Sequence, residues 1–156
     1  MRRDDLVEVL LREELKIVNK HLPHYRKSLK ELLKEEFPSV ICRDGTQHFF
    51  RRSELERVST LIDKENWDHV FLPVVITIIP ESRGIVGVIE DKYAIELVSR
   101  ILGIEHRSEK LFIYEPQLFE LRRNYSTIFQ LALSYTPDLT FDLEKPSNTY
   151  TNTKPL

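Results

Sequence analysis

Residues 21 to 33 read HLPHYRKSLKELL, which gathers His21, His24, Arg26, Lys27 and Lys30 around Pro23. Three chemistries could use such a set: two imidazoles binding a metal, a histidine moving a proton, or cations holding phosphate. Pro23 interrupts the helix that would put both rings on one face, and His48, His69 and His106 are distant in sequence. The zinc-protease pattern of two histidines four apart with a glutamate between them is absent. No metal and no cofactor is assigned.

Phosphate is better supported. From Lys16 to Lys34 there are six basic residues (Lys16, Lys20, Arg26, Lys27, Lys30 and Lys34) against one acid, Glu31. Ser28 and Glu31 have capping-box spacing, which predicts a short helix from about Leu29 to Phe37, stopped by Pro38. Arg26 and Lys27 then lie just before a helix start, where free amides and the helix dipole favour an anion. The plainer alternative is a solvated face whose lysines pair with Glu31, Glu35 and Glu36 at helical spacing.

A hairpin adds to this surface. SVICRDGTQHFF, residues 39 to 50, places Asp44-Gly45 between β-prone residues, the signature of a two-residue turn. That turn would set Arg43 opposite Thr46 and Ile41 opposite His48. Arg43 and His48 would then be diagonal neighbours on one side. Arg51 and Arg52 follow at the strand's end. The candidate anion or nucleic-acid site is thus Arg26, Lys27, Ser28, Lys30, Arg43, His48, Arg51 and Arg52. Tyr25 could stack on a base, whereas Phe50 is expected in the core. Asp44 is explained as a turn residue.

Composition bounds these readings. The chain has 156 residues, 41% apolar and 31% charged, with a net charge of −2. No global field draws it to nucleic acid or anionic lipid, so a basic site must be local. The single cysteine, Cys42, excludes an internal disulfide and reads as a buried, inert thiol. The amino terminus, Met1-Arg2-Arg3-Asp4-Asp5, is no signal peptide. The apolar run from Val70 to Ile79 is far short of the roughly 20 residues a membrane span needs. A cytoplasmic protein with no membrane partner is expected.

The elements that must position these residues begin with a helix over Leu6–Lys20, capped by Asp5 and Glu8. After the hairpin, Ser53 and Glu56 predict a third helix reaching about Asp63. DHVFLPVVITIIP reads as a central strand apolar on both faces, with Pro73 near its start or at a bulge. ESRG turns the chain into an antiparallel partner, IVGVIE. Asp91 opens a helix that Gly103 ends near Leu102. KLFIY is an edge strand, and Pro116 opens a last helix running to about Tyr135.

This order predicts an α+β fold with a largely antiparallel four- or five-stranded sheet, packed with N-terminal, middle and C-terminal helices. A single domain spans residues 1–136, including a helical extension at 115–136. Residues 137–156 form a polar tail expected to be disordered. Gly84 and Gly87 lack the spacing of a dinucleotide fingerprint. A Walker A loop and a Gly-x-Ser-x-Gly elbow are absent.

The runs NKHLP (19–23), RKSLKELL (26–33), RDGTQH (43–48), FLPVVITI and GIVGVIED resemble uncharacterised archaeal protein family 0216, the domain of unknown function 61. The resemblance covers about residues 5 to 105. It implies an archaeal, cytosolic protein and carries over no catalytic residue. The leading functional expectation, from the residues themselves, is a module binding RNA or another phosphate-bearing partner. One rival is an enzyme on a small phosphorylated or anionic metabolite, with His48 or His24 as acid–base and Arg26 and Arg43 clamping the charge. Another is a structural or adaptor subunit that meets its partner through an exposed apolar patch, for instance on the last helix.

Overall fold

The computed structural model describes residues 22–133. The helix expected over Leu6–Lys20, His21 and the polar tail lie outside the described residues. Strand β1 (Lys27–Ser28) leads into helix α1 (Leu29–Lys34). The Ser28 hydroxyl accepts the Glu31 N–H at 3.1 Å, as the capping-box spacing predicts. The helix ends three residues before Phe37. Glu35 is already extended, its carboxylate held by Lys27 at 2.8 Å, and Pro38 disfavours helical backbone at Phe37.

The hairpin forms from β2 (Ser39–Ile41) and β3 (Gln47–Phe49), but in a different register. Val40 pairs with His48 and Ile41 with Gln47. The loop has three residues, not two: the Cys42 N–H donates to Thr46 O at 2.8 Å and the Gly45 N–H to Cys42 O at 3.0 Å. Gly45 takes the positive φ of 87° while Asp44 does not. This fits a tight turn followed by a left-handed residue. The Asp44 carboxylate locks it by accepting from the Thr46 amide at 3.0 Å and its hydroxyl at 2.6 Å. A one-residue slip reverses every side chain. His48 therefore shares the inward side with Val40 and Cys42, while Ile41 and Phe49 face outward, 51% and 54% exposed.

Helix α2 (Arg52–Leu61) starts at an Arg51 cap, ahead of the Ser53 cap expected, and buries Glu54, Leu55 and Val58. Strand β4 (Phe71–Leu72) pairs with β1, and Pro73 separates it from β5 (Val74–Ser82), as expected of a residue without an amide donor. An Arg83-Gly84 turn returns the chain as β6 (Ile85–Ile89). Helix α3 (Lys92–Leu102) ends at Gly103, and β7 (Leu111–Tyr114) is an edge strand; both were expected.

The last helix is a correction. Helix α4 stops at Asn124 (Glu115–Asn124), and Phe129–Leu133 is a strand, β8. Leu121, Tyr125, Ile128, Phe129 and Ala132 match helical spacing, but such short apolar runs suit a strand equally well. Tertiary contact decides: β8 pairs in parallel with β5, Val74 against Phe129 through Ile78 against Leu133. The sheet order is β7-β6-β5-β8, with its other pairs antiparallel, so the fold is α+β with a four-stranded, largely antiparallel sheet.

Along β5, Val74, Ile76 and Ile78 enter the main core with Leu55 and Val58 of α2, Leu97 and Val98 of α3, and Leu118 and Leu121 of α4. Val75 and Thr77 lie on the opposite, half-covered face. Gly87 keeps the central strands close: a Cβ there would sit 2.8 Å from Ile76 Cγ2 and 3.3 Å from the Thr77 carbonyl oxygen. Gly87→Ala should cost about 2 kcal/mol through overpacking. Urea unfolding should show a lower midpoint with an unchanged slope. Among the described residues, no helix is long and apolar enough to cross a membrane.

Candidate anion-binding cleft

Leu22 to His24 runs antiparallel to the hairpin. The Arg43 N–H donates to Leu22 O at 2.8 Å, the His24 N–H to Ile41 O at 3.0 Å, and Pro23 bridges to Cys42. These bonds bring His24 beside Arg43, although 19 residues of sequence separate them. Both line a cleft of about 600 Å3 together with Arg26. Its floor is the half-covered sheet face, where Ala132, Thr77 and Val88 stand opposite one another across β8, β5 and β6. Glu90, Asp91 and Ala94 at the start of α3 complete the lining.

Arg26 and Arg43 are both exposed, and neither forms an ion pair with another described residue. Asp91 occupies the N-cap position of α3 without a side-chain hydrogen bond to the helix. The cleft thus joins two guanidinium groups, an imidazole and the positive end of an eleven-residue helix to two carboxylates. Guanidinium forks at such a mouth are suited to bidentate capture of phosphate.

The other sequence candidates go elsewhere. Lys27 is tied to Glu35, and the Arg52 guanidinium donates to the Glu35 carbonyl. Lys30 and Arg51 are exposed and do not line the cleft. His48 does not stand beside Arg43: its Nε2 lies 2.8 Å from Thr127 O and its ring packs edge-on against Phe50. The start of α1 offers no free anion site either. The Leu29 N–H donates to Val70 O at 2.7 Å, the Lys30 N–H to Trp67 O at 3.2 Å, and the Glu31 N–H to Ser28 Oγ.

Thr127 is a junction that sequence reasoning missed. Its amide and hydroxyl donate to the buried Glu54 carboxylate at 3.0 and 2.7 Å. Its hydroxyl also accepts the Arg51 N–H at 3.2 Å, and its carbonyl meets His48. The only local signal was Glu54 itself, an acid in the first turn of a helix whose expected capping pair was Ser53 and Glu56. Cys42 is 1% exposed; burial pushes its thiol pKa up, a Thr46 hydrogen bond opposes this and the Asp44 charge adds to it. That is an inert thiol. Among the described residues, no group of three or more His, Cys, Asp or Glu side chains is arranged to hold a metal ion.

Exposed apolar side chains concentrate at the hairpin, with Phe37 70% exposed beside Ile41 and Phe49. On α4 Phe119, 47% exposed, is the one large exposed apolar side chain, so the last helix presents no broad apolar patch among the described residues.

Residues 8–133 match the family described as "Protein of unknown function DUF61", well beyond the span ending near residue 105 that the motifs carried. A UPF0216 protein of Methanothermobacter thermautotrophicus is 35% identical over 130 residues, covering 82% of this chain and 93% of that protein. A UPF0216 protein of Pyrococcus abyssi is 37% identical over 119 residues, covering 76% and 83%. The solution structure of an archaeal DUF61 family protein superposes with a TM-score of 0.62 at 22% identity, covering 83% of this chain and 86% of that one. The fold is shared with that structure, and the chain belongs to the DUF61 family, also described as UPF0216.

Proposed function

We propose that the cleft is a phosphate-binding site and that the chain is an RNA-binding module, its guest a phosphate of an unpaired loop or end. The observation that carries this reading is the convergence of Arg26 and Arg43 on one concave mouth with no described acid pairing them. Tyr25, 85% exposed and next to both His24 and Arg26, supplies a face on which a splayed base can stack. Glu90 and Asp91 hold down the net charge, so the cleft suits one phosphate rather than a long run. A cytoplasmic setting, where RNA is abundant, fits this role.

Counterion release gives the test. One phosphate of a single strand held by both guanidinium groups predicts a log–log salt slope of about −0.7, whereas six phosphates neutralised by the six candidate cations would give about −4. Binding of a labelled hairpin RNA, followed by fluorescence anisotropy from low to physiological salt, measures it. Absence of binding at low salt removes the proposal. A second reading has its own support: His24 and Asp91 line the same concave cleft as the two arginines, which would let an enzyme clamp a small phosphomonoester and move a proton. Turnover of a phosphomonoester that is lost in His24→Ala would favour it over the binding module.

A further inference from the structure

A second cavity, of about 750 Å3, opens on a different face of α3. One wall is a helical stripe, Lys92, Ile95, Glu96, Ser99 and Arg100, at spacings of three and four residues. The segment after Gly103 supplies the other wall with Ile104, His106 and Arg107. Ser99 is 7% exposed, and its hydroxyl has no hydrogen-bond partner in the structure. Buried polar groups are paired in the great majority of cases, so an orphaned hydroxyl lining a cavity marks where a guest's polar atom belongs.

The surroundings define that guest. Ile95 and Ile104 form apolar walls, which free phosphate would leave in contact with water. A fatty chain would cover them but leave the Ser99 hydroxyl unpaired. Burial pushes the His106 pKa down, against a backbone hydrogen bond at Ser108, which favours the neutral imidazole. With one ring nitrogen engaged at Ser108, the imidazole offers a guest one further polar contact, while the Ser99 hydroxyl both donates and accepts, a mixture that suits a nucleobase edge. Arg100 is already committed to Glu96 at 3.0 Å and to Leu61 O at 2.6 Å. Lys92 and Arg107 are exposed and form no ion pair with another described residue, which leaves them available to an anion at the rim.

We propose that this cavity binds a nucleoside monophosphate, its base between Ile95 and Ile104 against the Ser99 hydroxyl and its phosphate toward Lys92 and Arg107. The site shares only Glu90 with the lining of the Arg26–Arg43 cleft and does not depend on that reading.

The test is an amide-resolved NMR titration of the full chain with adenosine and uridine 5′-monophosphates, alongside adenosine and inorganic phosphate. At least one monophosphate should give saturable shifts at the amides of residues 95–110, with adenosine bound about tenfold more weakly. Ser99→Ala should keep the folded spectrum and weaken that binding about tenfold, the worth of one hydrogen bond. Ser99→Leu, which fills the wall, should abolish it. Monophosphates leaving these amides unmoved at millimolar concentration would overturn the proposal. So would equal binding by Ser99→Ala, or inorganic phosphate shifting the same amides as strongly. Phosphate shifts confined to His24, Arg26 and Arg43 would speak to the cleft alone, so the two proposals fail separately.

Discussion

Glu54→Ala should lower the unfolding free energy by about 3 kcal/mol, the largest loss expected from any single polar side chain described here. Glu54 is 4% exposed and takes both the amide and the hydroxyl proton of Thr127. Removing it leaves two donors of the half-buried Thr127 without their acceptor, each costing about 1–3 kcal/mol. The damage would spread, because Thr127 also receives the Arg51 N–H and lies against His48. The start of α2, strand β3 and the approach to β8 all meet there. Glu54→Gln keeps an acceptor in place and should lose about half as much. Chemical denaturation of the three proteins, compared at equal slope, provides the measurement. An alanine variant as stable as the parent would mean that the junction contributes no more than surface contacts do.

The second large effect concerns affinity rather than stability. Arg26→Ala combined with Arg43→Ala should weaken RNA binding about 100-fold, from roughly 1.5 kcal/mol for each charge-assisted contact. Either single change should cost about tenfold, and a surplus in the double variant would show that the two forks grip one phosphate. Stability should move by less than about 0.5 kcal/mol, because both side chains are exposed and form no described ion pair. That contrast separates a binding defect from a folding defect. Lys27→Ala offers a control: its ammonium already belongs to Glu35, so binding should change little.

Local chemistry was legible in the sequence wherever one short stretch decided the outcome. The Ser28 cap, the break at Pro73, the partner strand after Ser82 and the stop at Gly103 all follow from residue types within a turn of each other. Two corrections have different causes. The hairpin register depended on whether Asp44-Gly45 made a two-residue or a three-residue loop, and the Asp44–Thr46 hydrogen bonds fit the longer one. The strand β8 was read as helix because its pairing with β5 and its Glu54 anchor are contacts at long range.

The candidate site divides along the same line. Arg26 and Arg43 meet because the chain at Pro23 bridges to Cys42, a pairing that no local pattern announces. Lys27 and Arg52 belong to the candidate site by sequence, yet Glu35 takes the first by its carboxylate, a partner the solvated-face alternative already named, and the second by its carbonyl. His48 left the site through the one-residue register slip. Burial of Ser99 without a partner could be seen only once α3 had neighbours.

The most direct measurement is the salt dependence of hairpin-RNA binding by the native chain and by the Arg26→Ala/Arg43→Ala variant, side by side. A single phosphate held by these two guanidinium groups predicts a slope of about −0.7 for the native chain that collapses toward zero in the variant. Equal slopes for the two proteins would contradict it and place the phosphate contacts elsewhere on the molecule.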